Sequence, residues 1–175
     1  MHTAEPSITN TTVTIIGAGQ AGLAMSRCLT ERSIDHVVLE RGEVANSWRT
    51  ERWDSLRLLT PNWMTRLPGH RYDGADPAGY MTADEVTGVL DGYRARIDAP
   101  VRTHTEVRSV VTTGSSDRPR FRTITSTGPI DSAGVVVATG ACSNPRVPAI
   151  ADQLPTHIRQ ITPIGYRNPD QLGDG

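Results

Sequence analysis

The chain has 175 residues, 18 basic and 19 acidic side chains for a formal net charge of −1, and 37% apolar content. That suits one domain long enough to bury a real core. The charges are interspersed with no basic stripe to follow a phosphate backbone, which excludes nucleic acid as an expected partner. All the cations are arginine, which excludes a lysine Schiff base and a P-loop lysine.

Two cysteines, Cys28 and Cys142, stand far apart without a C-x-x-C pattern, so neither a disulfide, a zinc site nor a redox dithiol is expected. No apolar run approaches the roughly 18 residues of a membrane helix, and nothing after Met1 resembles a signal peptide. The expectation is a cytoplasmic protein with no membrane partner.

Residues 1–10 are polar and read as a disordered leader. Thr12–Ile16 (TVTII) is a β-branched run expected to form a buried strand. It leads into Gly17-Ala18-Gly19-Gln20-Ala21-Gly22. Ala21, Ala24, Met25, Cys28 and Leu29 then recur at helical spacing, predicting a helix that ends near Arg32. After Ser33–Asp35, His36–Glu40 reads as a second strand. Strand, helix and strand within about 30 residues form a βαβ unit and imply a parallel sheet.

Residues 41–81 show little periodicity and hold all three tryptophans, a pattern more typical of a functional loop than of packing alone. Thr82 to about Ile97 predicts a helix, capped by Thr82 with Glu85 three residues on and striped by Val86, Val89, Leu90 and Tyr93. From Val101 to Ile130, short β-type runs separated by turn residues predict an antiparallel meander. Val135–Val137 reads as a further buried strand, ending in Ala138-Thr139-Gly140. Beyond it prolines recur and no regular element is expected.

Gly17, Gly19 and Gly22 form G-x-G-x-x-G between a strand and a helix. The first glycine permits the tight turn, the second lets backbone approach a pyrophosphate, and the third lets helix and strand pack closely. The helix N-terminus adds N–H donors and positive dipole. Glu40 follows at the end of the second strand, where a carboxylate accepts ribose hydroxyls. A dinucleotide site is therefore expected. A plain NAD-binding domain would continue with strand–helix pairs, whereas this chain turns to a meander and a strand ending in Ala-Thr-Gly.

The runs TIIGAGQAGLA, VVLERGEVANSWR, WDSLRLLTPNW and GVVVATGACSNPRVPAI resemble the flavin-containing monooxygenases, whose relatives include Baeyer–Villiger and plant auxin-synthesising enzymes. The likeness covers roughly residues 12–170. It implies an α/β Rossmann-like FAD-binding domain over 11–150, with the meander inserted in a parallel sheet and a C-terminal truncation relative to the family. Residues 151–175 would be a linker towards an absent NADPH-binding domain.

In the family the flavoprotein oxidises a small-molecule substrate with molecular oxygen, and NADPH (or NADH) is the reductant. Here the reductant site would belong to the full-length relative or to a separate chain. The resemblance places Gly17, Ala18, Gly19, Gln20, Ala21 and Gly22 at the pyrophosphate, Glu40 at the ribose and Arg41 beside the adenine. Ser47 and Trp48 would pass near the flavin, Thr60 and Asn62 beside its ring, and the Val107 backbone against the adenine edge. Ala138, Thr139 and Gly140 would return to the cofactor.

Two departures stand out: Thr162 replaces a histidine four residues before Tyr166, and the chain would stop about where a second nucleotide-binding strand is expected; Asn46 and Ser47 also replace a pair of glycines. No residue is assigned as catalytic and no metal ligand is expected. A nucleotide-binding fragment that needs a partner and an NAD-type Rossmann dehydrogenase stay open as alternatives.

Overall fold

The computed structural model describes residues 9–115, 118–141 and 143–173. Strand β1 (Thr9–Ile16) runs into helix α1 (Gln20–Thr30), and β2 (His36–Leu39) follows. β1 and β2 pair in parallel with Ile15 beside Val38. This is the expected βαβ unit. β1 starts earlier than expected: Thr9 and Asn10, read as the end of a leader, pair with Ile130 and Asp131. Residues 1–8 of that leader lie outside the described residues, as do Cys142 and part of the 114–119 turn.

Helix α2 (Asn46–Thr50) and a two-stranded hairpin, β3 (Arg66–Leu67) with β4 (His70–Arg71), punctuate the region expected to be loop. Helix α3 (Ala83–Arg96) begins as predicted. Thr82 accepts from the Glu85 backbone, and the Glu85 carboxylate accepts from the Thr82 N–H at 2.7 Å. That reciprocal cap satisfies two otherwise orphaned donors.

β5 (Val101–Arg102) joins β2 in parallel. β6 (Val107–Ser115), β7 (Arg118–Thr125) and β8 (Gly128–Val137) form the antiparallel meander. The six strands make one sheet in the order β5-β2-β1-β8-β7-β6, and β8 also runs parallel to β1.

Two expectations about Val135–Val137 change. The segment is not a strand of its own but the end of β8, which pairs with β7 over Gly128–Ser132 and runs parallel to β1 from Ile130 to Val137. Nor is it buried throughout. Alternation points Val136 at the helical core, while Val137 is 72% exposed on the rim of a cleft.

Side chains alternate across a strand, so β2 divides the core. Val38 joins Ile15, Leu23 of α1, and Val86, Leu90 and Tyr93 of α3. Val37 and Leu39 point the other way and pack with Ile130 and Val107 of the meander. Helices thus cover one face and the meander folds over the other. His36, buried, ties the two elements of the βαβ unit: its Nε2 meets Ser26 Oγ at 2.8 Å and its Nδ1 meets the Ile34 carbonyl at 2.9 Å.

Residues 149–171 are mostly irregular, with short 3-10 turns at Ala149–Gln153 and Pro169–Gln171. They are strapped back to the loop after α2. The Asp54 N–H donates to the Arg167 carbonyl at 2.8 Å, and the Asn168 amide donates to Asp54 at 2.7 Å.

A candidate dinucleotide cleft

A cleft of about 720 Å³ opens at the carboxyl ends of β1, β2 and β8, where ligands bind in open α/β sheets. Each glycine of the turn does a different job there. Gly17 has φ +107, and a Cβ would stand 2.5 Å from the Ala138 carbonyl oxygen. Both the left-handed backbone and the neighbouring strand therefore require glycine. A Cβ on Gly22 would overlap the Gly17 carbonyl oxygen, so helix and turn touch through bare backbone. Gly19 lines the cleft, and a Cβ on it would meet nothing within 4 Å. Its missing side chain leaves ligand space rather than relieving a clash.

Gly19 is also the N-cap of α1. No side chain caps it, and the first turn carries no acid. The first-turn N–H groups and the positive end of the helix dipole thus face the cleft with no side-chain cap of their own.

Glu40 sits where the second strand ends, 8% exposed. One carboxylate oxygen accepts the Ala18 N–H at 2.9 Å, and the other accepts the Gly42 N–H at 3.2 Å. Each oxygen keeps a second lone pair. The residue therefore pins the glycine turn to β2 and still has acceptor capacity on the cleft wall it lines. The Ala18 amide is accordingly committed to Glu40 rather than free for a ligand.

Of the expected site residues, Gly17, Gly19, Gln20, Ala21, Glu40, Arg41, Ser47, Trp48, Val107, Ala138, Thr139 and Gly140 line this one cleft. Ala18 and Gly22 are buried and do not line it. Thr60 and Asn62 do not join it. Asn62 is buried as a loop staple: its amide donates to the Asp76 carbonyl and its Oδ1 accepts the Met81 N–H, both at 2.9 Å. Thr60 lies on an exposed bend beside Leu59, which is 95% exposed.

Asn46, which stands where the family has a glycine, also lines the cleft, as do Arg52, Thr105, Glu106, Ser143 and Asn144, which no sequence motif marks. Arg52 places its guanidinium 5.3 Å from the centre of the Trp48 ring. Four-residue spacing from Trp48 is the one local signal that could have found it. Among the described residues no cluster of three or more His, Cys, Asp or Glu could hold a metal.

Residues 14–170 match the pyridine nucleotide-disulphide oxidoreductase family. A CzcO-like oxidoreductase of Geobacillus kaustophilus is 37% identical over 164 residues, 93% of this chain and 45% of that relative. Probable indole-3-pyruvate monooxygenase YUCCA1 of Arabidopsis thaliana is 33% identical, over 78% of this chain and 33% of its own length. Among solved structures, a flavin-containing monooxygenase from Stenotrophomonas maltophilia is 26% identical with a TM-score of 0.68, covering 81% of this chain and 42% of that one. The chain spans about half the length, or less, of these relatives.

Its similarity to flavin monooxygenases, legible in the sequence runs, is thus matched by sequence relatives and by fold. With a glycine turn opening on an uncapped helix and a family match over nearly its whole length, the chain belongs to the pyridine nucleotide-disulphide oxidoreductase family.

Proposed function

We propose that this chain is the FAD-binding portion of an NAD(P)H-dependent flavin oxidoreductase of the monooxygenase type. The observation that carries the reading is the uncapped N-terminus of α1, opened by Gly19 onto a cleft that Glu40 also lines. Bound FAD supplies acceptance of hydride from a nicotinamide and its delivery, as reducing power, to molecular oxygen.

The chain's own residues do the holding. N–H groups of Gln20, Ala21 and Gly22 are placed to receive the diphosphate, and the spare lone pairs of Glu40 to receive ribose hydroxyls. Arg41 stands at the same end of the cleft, next to Glu40. Ala138, Thr139 and Gly140 form the facing wall at the end of β8, and the left-handed φ of +75 at Gly140 turns the chain away beyond it.

The small-molecule substrate and the NADPH or NADH site belong, in this reading, to further polypeptide, whether covalently continuous or a separate chain. Support comes from the relatives' greater length. Within the same reading the protein works in the cytoplasm, where nicotinamide reductant is held. Among the described residues, no helix is long and apolar enough to cross a membrane.

A second reading, a nucleotide-binding fragment that depends on a partner, draws support from a separate groove of about 930 Å³. Val147, Ile150, Leu154 and Ile158 leave apolar surface exposed along it.

Titrating FAD with the purified chain while following flavin fluorescence tests the first reading. Saturable quenching is expected with FAD and no competition by NAD, with weak binding and no NADPH-driven flavin reduction by the chain alone. Equal competition by NAD would favour a plain Rossmann dehydrogenase. Failure to bind FAD at millimolar concentration would refute the proposal.

A further inference from the structure

We infer that Glu51 is a positioning residue that makes the cleft select the adenylate half of a flavin dinucleotide, by fixing Arg41 at that end. The inference rests on the flavin-nucleotide reading above. Glu40 marks the ribose end of the cleft, and Arg41 is the next residue, lining the same wall. Its side chain is 51% exposed, so it is free to meet a ligand. Left alone, a half-exposed arginine samples many rotamers. Arg41 is instead ion-paired to Glu51.

Glu51 is a firm anchor. It ends α2, with its N–H donating to the Ser47 carbonyl at 3.1 Å, and its side chain is only 12% exposed. The neighbouring guanidinium of Arg52 lies over Trp48 and, among the described residues, donates to the Glu51 main-chain carbonyl at 3.2 Å. One carboxylate oxygen of Glu51 thus faces Arg41. The other is buried with no partner among the described residues.

A carboxylate with one oxygen desolvated and unmatched is a poor device for stability. Exposing the acid to water, or exchanging it for an apolar side chain, would hold α2 at lower cost. What the arrangement does secure is the direction of Arg41. A guanidinium held through one nitrogen keeps its flat face and remaining N–H groups for an adenine ring. Riboflavin monophosphate lacks the adenylate half and has nothing to offer that group. The pair therefore discriminates FAD from FMN rather than strengthening flavin binding in general.

Fluorescence titrations with FAD and FMN, at physiological salt to screen long-range charge effects, test this on the full chain. Glu51→Gln is expected to weaken FAD about fivefold, as the loss of one oriented charged contact does, and to leave FMN unchanged. Arg41→Gln should reproduce that loss. The double variant should lose no more than either single one, because both act through one contact.

Equal weakening of FAD and FMN would reduce Glu51 to a structural role. Additive losses, or unchanged or tighter FAD binding in Glu51→Gln, would also overturn the inference. Arg41→Gln, at a half-exposed position, keeps the test decisive if Glu51→Gln folds poorly. If the unaltered chain binds no FAD, the functional reading itself falls. If it binds FAD and the variants match it, only this inference does.

Discussion

Replacing Gly19 and Gly22 by alanine, one at a time, should separate binding from folding. At Gly19 the backbone is extended with φ −87, which any residue adopts, and the added methyl meets nothing within 4 Å. Alanine narrows the unfolded ensemble and gains about 0.4–1 kcal/mol. It loses a similar amount as a poorer N-cap. The net effect on folding should fall within about 0.5 kcal/mol. The methyl nonetheless projects into the cleft beside the first-turn N–H groups, where a phosphate would have to approach.

Gly22 is the opposite case. Helix propensity would reward alanine by about 1 kcal/mol, but its methyl would overlap the Gly17 carbonyl oxygen and lie 3.0 Å from the carbonyl carbon. Backbone, not a flexible side chain, must move. Overpacking of this kind costs about 1–3 kcal/mol or more, so Gly22→Ala should be destabilised overall.

Urea unfolding of the apo chain gives the first quantity and FAD titration the second. Gly19→Ala should unfold at the midpoint of the unaltered chain yet bind FAD at least tenfold more weakly, the order of one lost charge-assisted contact. Normal FAD affinity in Gly19→Ala, or destabilisation equal to that of Gly22→Ala, would refute the assignment of roles to the glycines.

Glu40→Ala should lower stability by about 2–3 kcal/mol, because the Ala18 and Gly42 N–H groups lose a charged acceptor in a buried setting; denaturant midpoints check it. Thr82→Ala removes a reciprocal cap far from the cleft, so about 1 kcal/mol should be lost with FAD affinity untouched in the same titration. Acid should destabilise the chain. Hydrogen bonds from Thr11 and Thr12 hold Asp35 below the usual carboxylate range, those from Thr82 do the same for Glu85, and Arg122 does so for Asp131. Groups depressed in this way stabilise the fold above their unfolded pKa of about 4 and lose that contribution as pH falls through the folded value. Unfolding midpoints should therefore drop steadily below about pH 5, and a flat profile down to pH 3 would contradict these contacts.

Much of the architecture was legible because it is encoded locally. The β-branched run at Thr12–Ile16, the glycine spacing and the helical stripe from Ala21 to Leu29 each name their element without tertiary help. The Thr82–Glu85 box does the same for α3. What escaped depends on partners distant in sequence. Thr9 and Asn10 are polar and look like a leader, yet β8 supplies hydrogen-bonding partners that make them strand. Val135–Val137 reads as a separate buried strand from its composition. Only the topology shows one continuous β8, whose last residue lies at an open rim.

The site divides along the same line. Residues next to the glycine turn, the end of β2 and the end of β8 converge because strand ends of a parallel sheet converge. Thr60 and Asn62 lie in a long loop whose path is set by contacts such as Asn62 to Asp76 and Met81, which no local pattern reveals. Arg52 carries no motif of its own, and its position over Trp48 depends on the path of the chain through α2.

The central claim is that first-turn amides of α1 hold a flavin dinucleotide's diphosphate. Amide NMR of the ¹⁵N-labelled chain during FAD addition tests it directly. The largest shifts are expected on Gly19, Gln20, Ala21 and Gly22, with Glu40 and Arg41 following. Shifts confined to the apolar groove at 145–164, or none at saturating FAD, would contradict it.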